Sequence, residues 1–222
     1  MDRKIYAIFV AGGSGTRMGG DVPKQFLPLA GLPVLVRTIS RFVEALPEAH
    51  VVTVLPAHLI DEWKQMCIKY ELTVPQTLVA GGLTRFHSVR NALEKVPDGA
   101  IVSVHDGVRP LLSVNLIRAM LEKVREVPAL LPVVPVVDTL RSTDPGVPAP
   151  DRSRTVAVQT PQMFWSEVLK DAYRQAYDLS FTDDGSVVEK KGVSLSFIEG
   201  ERYNIKITTP EDMVLAEAIL SL

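Results

Sequence analysis

Two textures of apolar residues alternate along the chain. Short runs of strand length fall at Ile5–Ala11, Val51–Leu55, Thr77–Ala80, Ile101–His105, Leu130–Val137, Ser194–Ile198 and Ile205–Ile207. Between them lie longer segments in which apolar positions recur every three or four residues. That spacing predicts helices over Pro33–Ala45, His58–Tyr70, Thr84–Val96, Val114–Val127, Ser166–Tyr177, Asp183–Lys191 and Thr209–Leu220. Repetition of this kind predicts βα units around a largely parallel sheet. Open sheets of that type hold ligands beyond the carboxyl ends of their strands, so the loops that follow the strands are where chemistry is sought.

The alternation stops between Val137 and Pro161, where the chain is polar and carries Asp144-Pro145-Gly146 and Pro148-Ala149-Pro150. Two readings stay open there: a disordered loop, or a hairpin arm with its turn near Asp144–Gly146 that reaches a second subunit. The length of 222 residues fits one domain with a substantial core. With 46% hydrophobic and 23% charged residues the composition excludes a disordered chain.

A formal net charge of −2 supplies no general field for nucleic acid or an anionic membrane. Phosphate binding must therefore come from local clusters. Cys67 is the only cysteine, which excludes an internal disulfide and a cysteine zinc site and points to a reducing compartment, the cytoplasm. The apolar run Ile5–Ala11 ends in Gly12-Gly13 and reads as a core strand instead of a leader. The stretch from Ala129 to Val137 is interrupted by Pro132 and Pro135 and is too short to span a bilayer.

The richest loop follows the first strand. From Ala11 to Gly20 it reads Ala-Gly-Gly-Ser-Gly-Thr-Arg-Met-Gly-Gly. Glycines let backbone N–H groups converge on an anion without obstruction from a Cβ, and Arg17 adds charge-assisted hydrogen bonds. The outline is that of a triphosphate cradle. A Walker loop would need Gly-Lys-Ser/Thr, whereas Lys24 stands between Pro23 and Gln25. A dinucleotide fingerprint would need an acid at the end of the second strand, where the chain has Leu55-Pro56. Pro23 stiffens the backbone that presents Lys24. Taken alone, this lysine reads equally as a ligand of an α-phosphate or as a solvated surface residue.

Three further constellations lie at strand ends. Gly81-Gly82-Leu83-Thr84-Arg85-Phe86-His87-Ser88 opens a helix whose free N–H groups face the same sheet edge, with Thr84 as a cap and Arg85 and Ser88 as ligand-facing candidates. His105-Asp106-Gly107-Val108-Arg109-Pro110 ends a strand: Asp106 suits Mg²⁺ or a substrate hydroxyl, and Arg109 suits phosphate, although an Asp–Arg pair that stiffens a turn is the alternative. Lys206 sits inside the expected strand Ile205–Ile207, where a buried ammonium needs an anionic partner. Thr182-Asp183-Asp184 and Thr209-Pro210-Glu211-Asp212 read as helix starts. The four histidines lack metal-ligand spacing and Gly-x-Ser-x-Gly is absent, which removes hydrolase readings.

In order, residues 11–19, Pro23-Lys24-Gln25-Phe26, Gly81-Gly82 with Arg85 and Ser88-Val89, residues 105–110, Asp138-Thr139, Gln159-Thr160-Pro161-Gln162, Thr182-Asp183-Asp184 and Asn204-Ile205-Lys206 resemble one family over nearly the whole chain. It is the 2-C-methyl-D-erythritol 4-phosphate cytidylyltransferases of non-mevalonate isoprenoid biosynthesis. The ribitol-5-phosphate cytidylyltransferases are a sister family with the same fold and chemistry. Gly12 looks like the ribitol group, while residues 85–93, Asp151-Arg152 and residues 182–189 look like the erythritol enzymes. Gly107 stands where the family more often has Ala.

This resemblance implies a three-layer Rossmann-like α/β nucleotidyltransferase fold, with a mostly parallel central sheet and a protruding β-arm. Residues 1–222 would form one cytidylyltransferase domain whose arm, at about 138–160, makes a homodimer and helps build the partner's pocket. The substrates would be CTP and a small polyol phosphate, with Mg²⁺ or another divalent cation as cofactor. Arg17 and Lys24 would stabilise charge at the α-phosphate of CTP, and Arg152 and Lys206 would hold the acceptor phosphate. Ala11, Gly12, Gly13, Ser14, Gly15, Gly81, Gly82 and Ser88 would bind the nucleotide. Asp106, Arg109, Thr139 and Thr160 would shape the acceptor site, with Asp106 also touching nucleotide and metal. A nucleotide-binding regulatory module on the same fold is the reading from another class.

Overall fold

The computed structural model describes residues 3–13 and 22–222. In chain order its strands are β1 (Ile5–Val10), β2 (Pro28–Leu29), β3 (Leu32–Pro33), β4 (His50–Leu55), β5 (Gln76–Ala80), β6 (Ile101–Asp106), β7 (Ala129–Pro135), β8 (Val156–Val158), β9 (Gln162–Trp165) and β10 (Ser196–Glu199). Its α-helices are α1 (Val34–Ala45), α2 (Ile60–Lys69), α3 (Arg85–Leu93), α4 (Val114–Val124), α5 (Ser166–Ala172), α6 (Asp184–Glu189) and α7 (Pro210–Leu220). Strand order in the main sheet is β10-β7-β9-β6-β1-β4-β5, with β8 also paired to β7. β1 pairs in parallel with both β4 and β6, and β9 is wedged antiparallel between β6 and β7.

Period-two alternation on β1 sets up the layers. Ile5, Ala7 and Phe9 enter one apolar cluster with Phe42 of α1, Trp63 of α2 and Met120 of α4. Ile8, on the opposite face, joins Val52, Val104, Phe86 of α3, Leu169 of α5 and Val187 of α6. Helices therefore cover both faces of the sheet, which gives the expected three-layer α/β architecture. Ile8 and Phe9 are fully buried, and burying a side chain of that size stabilises the fold by roughly 2 kcal/mol. A third small cluster of Leu29, Val34, Val108, Ile207 and Ala216 ties α7 to the loop after β6.

Two expectations need correction. Ile205–Ile207 is not a strand: one backbone bond, from the Ile207 N–H to the Val108 carbonyl at 2.9 Å, secures it beside the β6 loop. Conversely, β8 and β9 have no counterpart among the expected strands, because they are three and four residues long and lie on either side of Pro161. Together they run antiparallel to β7, and their register slips by two residues across Gln159–Pro161.

The arm leaves from the same sheet edge as the loops after β1 and β6, since two antiparallel steps through β9 make β7 run with β6. Its base is the β7–β8 pair, and residues 136–151 beyond that pair are neither strand nor helix. The expected turn is present: the Val147 N–H donates to the Asp144 carbonyl, and Gly146 has φ +80°. No helix among the described residues is long and apolar enough to cross a membrane.

Candidate active site at the carboxyl edge of the sheet

The strand order reverses direction between β1 and β6, and a cavity of about 470 Å³ opens at their carboxyl ends. The position is the switch-point crevice expected of open α/β sheets. Val10 is paired with Asp106 in the sheet register, so the glycine loop and the acid emerge side by side. Ala11, Gly12, Gly13, Lys24, Gly82, Ser88, Asp106 and Lys206 all line this one cavity, together with Arg85. Ser14, Gly15 and Arg17, also assigned to the loop, lie outside the described residues.

Local packing explains how each group arrives. The Gln25 side chain is buried and donates from Nε2 to the Ala11 carbonyl at 2.9 Å, and Phe26 stacks on Trp63 at a centroid distance of 6.0 Å. Lys24 is thus the outward residue of a short 3₁₀ turn whose other two side chains are anchored inside. A Cβ on Gly13 would stand 3.9 Å from Lys24 Cε, so the lysine stem lies over the glycine loop.

Across the cavity, Thr84 caps α3. Ser88 Oγ donates to the Thr84 carbonyl at 3.0 Å and accepts from the Gly82 N–H at 3.1 Å. A Cβ at Gly82 would come within 2.4 Å of His87 Cβ, so only glycine permits this close approach of loop and helix. Gly81 lies just behind, with its N–H on the Leu55 carbonyl.

Charge converges on Asp106, whose side chain is only 9% exposed. Lys206 Nζ is 2.9 Å from Oδ2, Arg85 Nε 3.5 Å from Oδ1, and Arg109 Nε 3.6 Å from Oδ2. Burial alone would raise this carboxyl; the three cations, Arg85 first, outweigh burial and hold it well below the ordinary carboxylate range. Arg109 is further fixed by donation from Nη1 to the Asn204 carbonyl at 2.7 Å.

Thr160 and His105 support the acid from beneath. The Asp106 N–H donates to Thr160 Oγ1 at 3.0 Å, and Thr160 Oγ1 lies 2.9 Å from His105 Nδ1. His105 Nε2 is 3.3 Å from the Arg109 carbonyl, which can only accept, so the proton sits on Nε2 and Nδ1 accepts from the threonine hydroxyl. Burial pushes the imidazole down to about 4, against the favourable influence of Asp106.

Several assignments are therefore met together, and others are not. Arg109 and Thr160 contact Asp106 from behind without lining the cavity. Thr139 and Arg152 lie exposed on the arm, where Arg152 Nη1 donates to the Val137 carbonyl; neither lines the cavity of their own chain. The sequence places Lys206 inside a buried strand, but its side chain is 40% exposed and its anion is Asp106. The difference follows from the loss of strand pairing at 205–207, which leaves the lysine on the rim. Asp183 caps α6, as expected, whereas the neighbouring Asp184 is wholly buried and holds Arg85. Sequence reasoning missed Asp184 and Tyr173 because a Thr-Asp-Asp run reads as a cap and an aromatic on a helix reads as core.

A glycine loop, two lysines and a cation-pinned carboxylate around one switch-point cavity define a nucleotidyl-transferring α/β enzyme. Residues 5–222 match the family model for 2-C-methyl-D-erythritol 4-phosphate cytidylyltransferase. Proteins of that name from Porphyromonas gingivalis strain W83 and Bacteroides thetaiotaomicron are similar to the chain. The first is 50% identical over 224 residues, covering all of both chains. The second is 47% identical over 218 residues, covering 98% of this chain and 100% of the relative. Among solved structures, the 4-diphosphocytidyl-2C-methyl-D-erythritol synthase of Anaerococcus prevotii superposes with TM-score 0.84 at 27% identity, covering 99% of each chain. The 2-C-methyl-D-erythritol 4-phosphate cytidylyltransferase of Thermus thermophilus does so with TM-score 0.77 at 30% identity, covering 99% of this chain and 100% of the other. The chain belongs to the 2-C-methyl-D-erythritol 4-phosphate cytidylyltransferase family.

Proposed function

We propose that this chain carries out its family's reaction by alignment and charge stabilisation, with no covalent enzyme intermediate. CMP passes from CTP to 2-C-methyl-D-erythritol 4-phosphate, giving 4-diphosphocytidyl-2-C-methyl-D-erythritol and pyrophosphate. An acceptor phosphate oxygen forms the new bond to the α-phosphorus as the bond to the departing pyrophosphate breaks. A phosphate nucleophile is already anionic near neutral pH, so no general base is required. His105, neutral and fully hydrogen-bonded, then serves as scaffold.

The observation that carries this reading is the meeting of Lys24 and Lys206 in the cavity that the glycine loop also lines. Lys24, with Arg17, stabilises charge on the α-phosphate; Lys206 holds the acceptor phosphate; Ala11 to Gly15, Gly81, Gly82 and Ser88 hold the nucleotide. Arg109, Thr139, Arg152 and Thr160 complete the acceptor side with Asp106.

Among the described residues no group of three or more acidic, His or Cys side chains gathers into a metal site. Among the same residues one carboxylate, Asp106, lines the cavity. That donor set suits Mg²⁺, which commonly takes one or two protein carboxylates and completes its shell with substrate phosphates and water. Asp106 would hold the ion, which supplies charge neutralisation of the triphosphate.

The exposure of Thr139 and Arg152 on an arm that leaves from the cavity's own sheet edge supports a homodimer in which each arm serves the partner's cavity. Residues 1–222 form one catalytic domain in this reading, and the lone Cys67 accords with a cytoplasmic setting. The test is pyrophosphate release from CTP with 2-C-methyl-D-erythritol 4-phosphate or ribitol 5-phosphate as acceptor. Turnover with the erythritol phosphate supports the reading; release with ribitol phosphate alone, or with neither, refutes it.

A further inference from the structure

Behind the cavity wall lies a second carboxylate for which the reaction as described has no use. Asp184 is fully buried at the start of α6. It is not needed as the cap: Asp183 accepts from the Ser186 N–H at 2.8 Å and completes a capping box. Both Asp184 oxygens are instead committed sideways. Oδ2 accepts from Arg85 Nη2 at 2.6 Å, and Oδ1 accepts from the Tyr173 hydroxyl, also at 2.6 Å. Tyr173 is only 2% exposed and is clamped by stacking on Phe86 at 4.7 Å, so the hydroxyl is rigidly placed.

Arg85 therefore stands between two carboxylates, tight against Asp184 and 3.5 Å from Asp106. Remove the charge at 184 and the nearest anion left to the guanidinium is Asp106. A shift of under about 1 Å would close that gap to an ordinary charge-assisted bond. Asp106 would then be drawn toward Arg85 and away from Lys206, which it now meets at 2.9 Å. Arg85 itself lines the cavity, so its displacement also moves a cation that faces the ligand.

We propose that Asp184, backed by Tyr173, is a positioning residue that holds Arg85 off Asp106 and so keeps the guanidinium, Asp106 and Lys206 in the arrangement that receives CTP. The proposal rests on the reading of this cavity as the CTP site. It treats the Tyr173–Asp184–Arg85 line as part of the working site, although two of its three members never touch the cavity.

The test is a double-mutant cycle between Asp184→Asn and Arg85→Gln, read as CTP affinity by calorimetry and as kcat with CTP and 2-C-methyl-D-erythritol 4-phosphate. Asp184→Asn should weaken CTP binding by about tenfold or more, and this loss should shrink to within about threefold once Arg85 is already Gln, because groups that act as one unit are non-additive. A merely structural aspartate would lower the melting temperature and leave the cycle additive. An equal loss in both backgrounds, or wild-type affinity in Asp184→Asn, overturns the proposal.

Should Asp184→Asn not fold, Tyr173→Phe keeps the carboxylate and removes only its support. It should weaken CTP binding by about threefold in the wild-type background and not at all beside Arg85→Gln; equal effects in both overturn the proposal. Wild-type protein that binds CTP without turnover of the acceptor refutes the function reading alone, since the affinity cycle still decides on Asp184. Wild-type protein that does not bind CTP refutes both.

Discussion

His105 offers a stability test in which sign and size both follow from its surroundings. Its ring is 1% exposed, accepts from the Thr160 hydroxyl and donates to the Arg109 carbonyl, so the folded state holds it neutral down to about pH 4. An unfolded histidine takes up its proton near pH 6.5. Between these values the unfolded chain carries the extra proton, and stability falls as the medium becomes more acid. The contribution is fully present above the unfolded value and is lost as pH drops toward the folded one. From pH 7 to pH 5, at about 1.4 kcal/mol per decade of proton activity, the wild type should lose about 2 kcal/mol through this residue. The measurement is urea unfolding at both pH values for the wild type and for His105→Gln, whose amide can still donate to a carbonyl but cannot titrate. The difference between their pH dependences isolates His105, because the exposed carboxylates change alike in both. Asp106 adds little in this interval, being ionised in the folded state throughout and almost fully ionised in the unfolded chain as well. Identical pH dependences in the two proteins would refute the reasoning and place a water or a charged imidazole in that site.

Three substitutions probe the division of labour in the cavity. Lys24→Ala should lower kcat by about a hundredfold, the effect of losing one preorganised charge contact worth ~3 kcal/mol, while CTP affinity measured by calorimetry changes far less; unchanged turnover removes Lys24 from the mechanism. Arg152→Ala should raise KM for the polyol phosphate about tenfold and leave CTP binding alone; a defect with CTP by itself would move Arg152 from the acceptor side to the nucleotide side. Asp106→Asn should abolish most turnover yet, with divalent metal chelated, bind CTP at least as tightly as the wild type, since among the described residues it deletes the one carboxylate that lines the cavity. Weaker metal-free binding would mean that Asp106 contacts the nucleotide directly and is not chiefly a counter-ion and metal ligand.

How much of this could be read from the residues follows a physical line. Strands β1, β4, β6 and β7 were legible because each is an apolar run largely buried on both faces and bounded by polar turns. Helices capped by Thr84, Asp183 and Thr209 were placed to within a residue at their starts, since a cap is a local device whose signal lies in four consecutive positions. β8 and β9 were illegible for the opposite reason. They are short, and their pairing partners on β6 and β7 lie roughly 20 to 60 residues away, so nothing local announces them. Lys206 shows the same limit in the site. A lone cation among apolar residues does signal function, but whether it is buried depends on strand pairing that the pattern suggested and the fold did not form.

The site makes sense as a set of charges that neutralise one another until substrate arrives. Arg85, Arg109 and Lys206 surround Asp106, and Asp184 stands behind Arg85, so three cations face two buried anions, with Lys206 reaching in from the rim. Leaving the largely buried Arg85 and Arg109 unpaired would cost several kcal/mol each. Pairing them in advance removes most of that penalty and still leaves one net positive charge among these five groups. On the proposed reading, incoming phosphate oxygens would exchange partners with Asp106 instead of drawing mobile side chains out of solvent, which would keep reorganisation at the reacting centre small. On that same reading, the prior pairing of the cations around Asp106 is what would let two phosphates be brought together beside Ala11, Gly12 and Gly13.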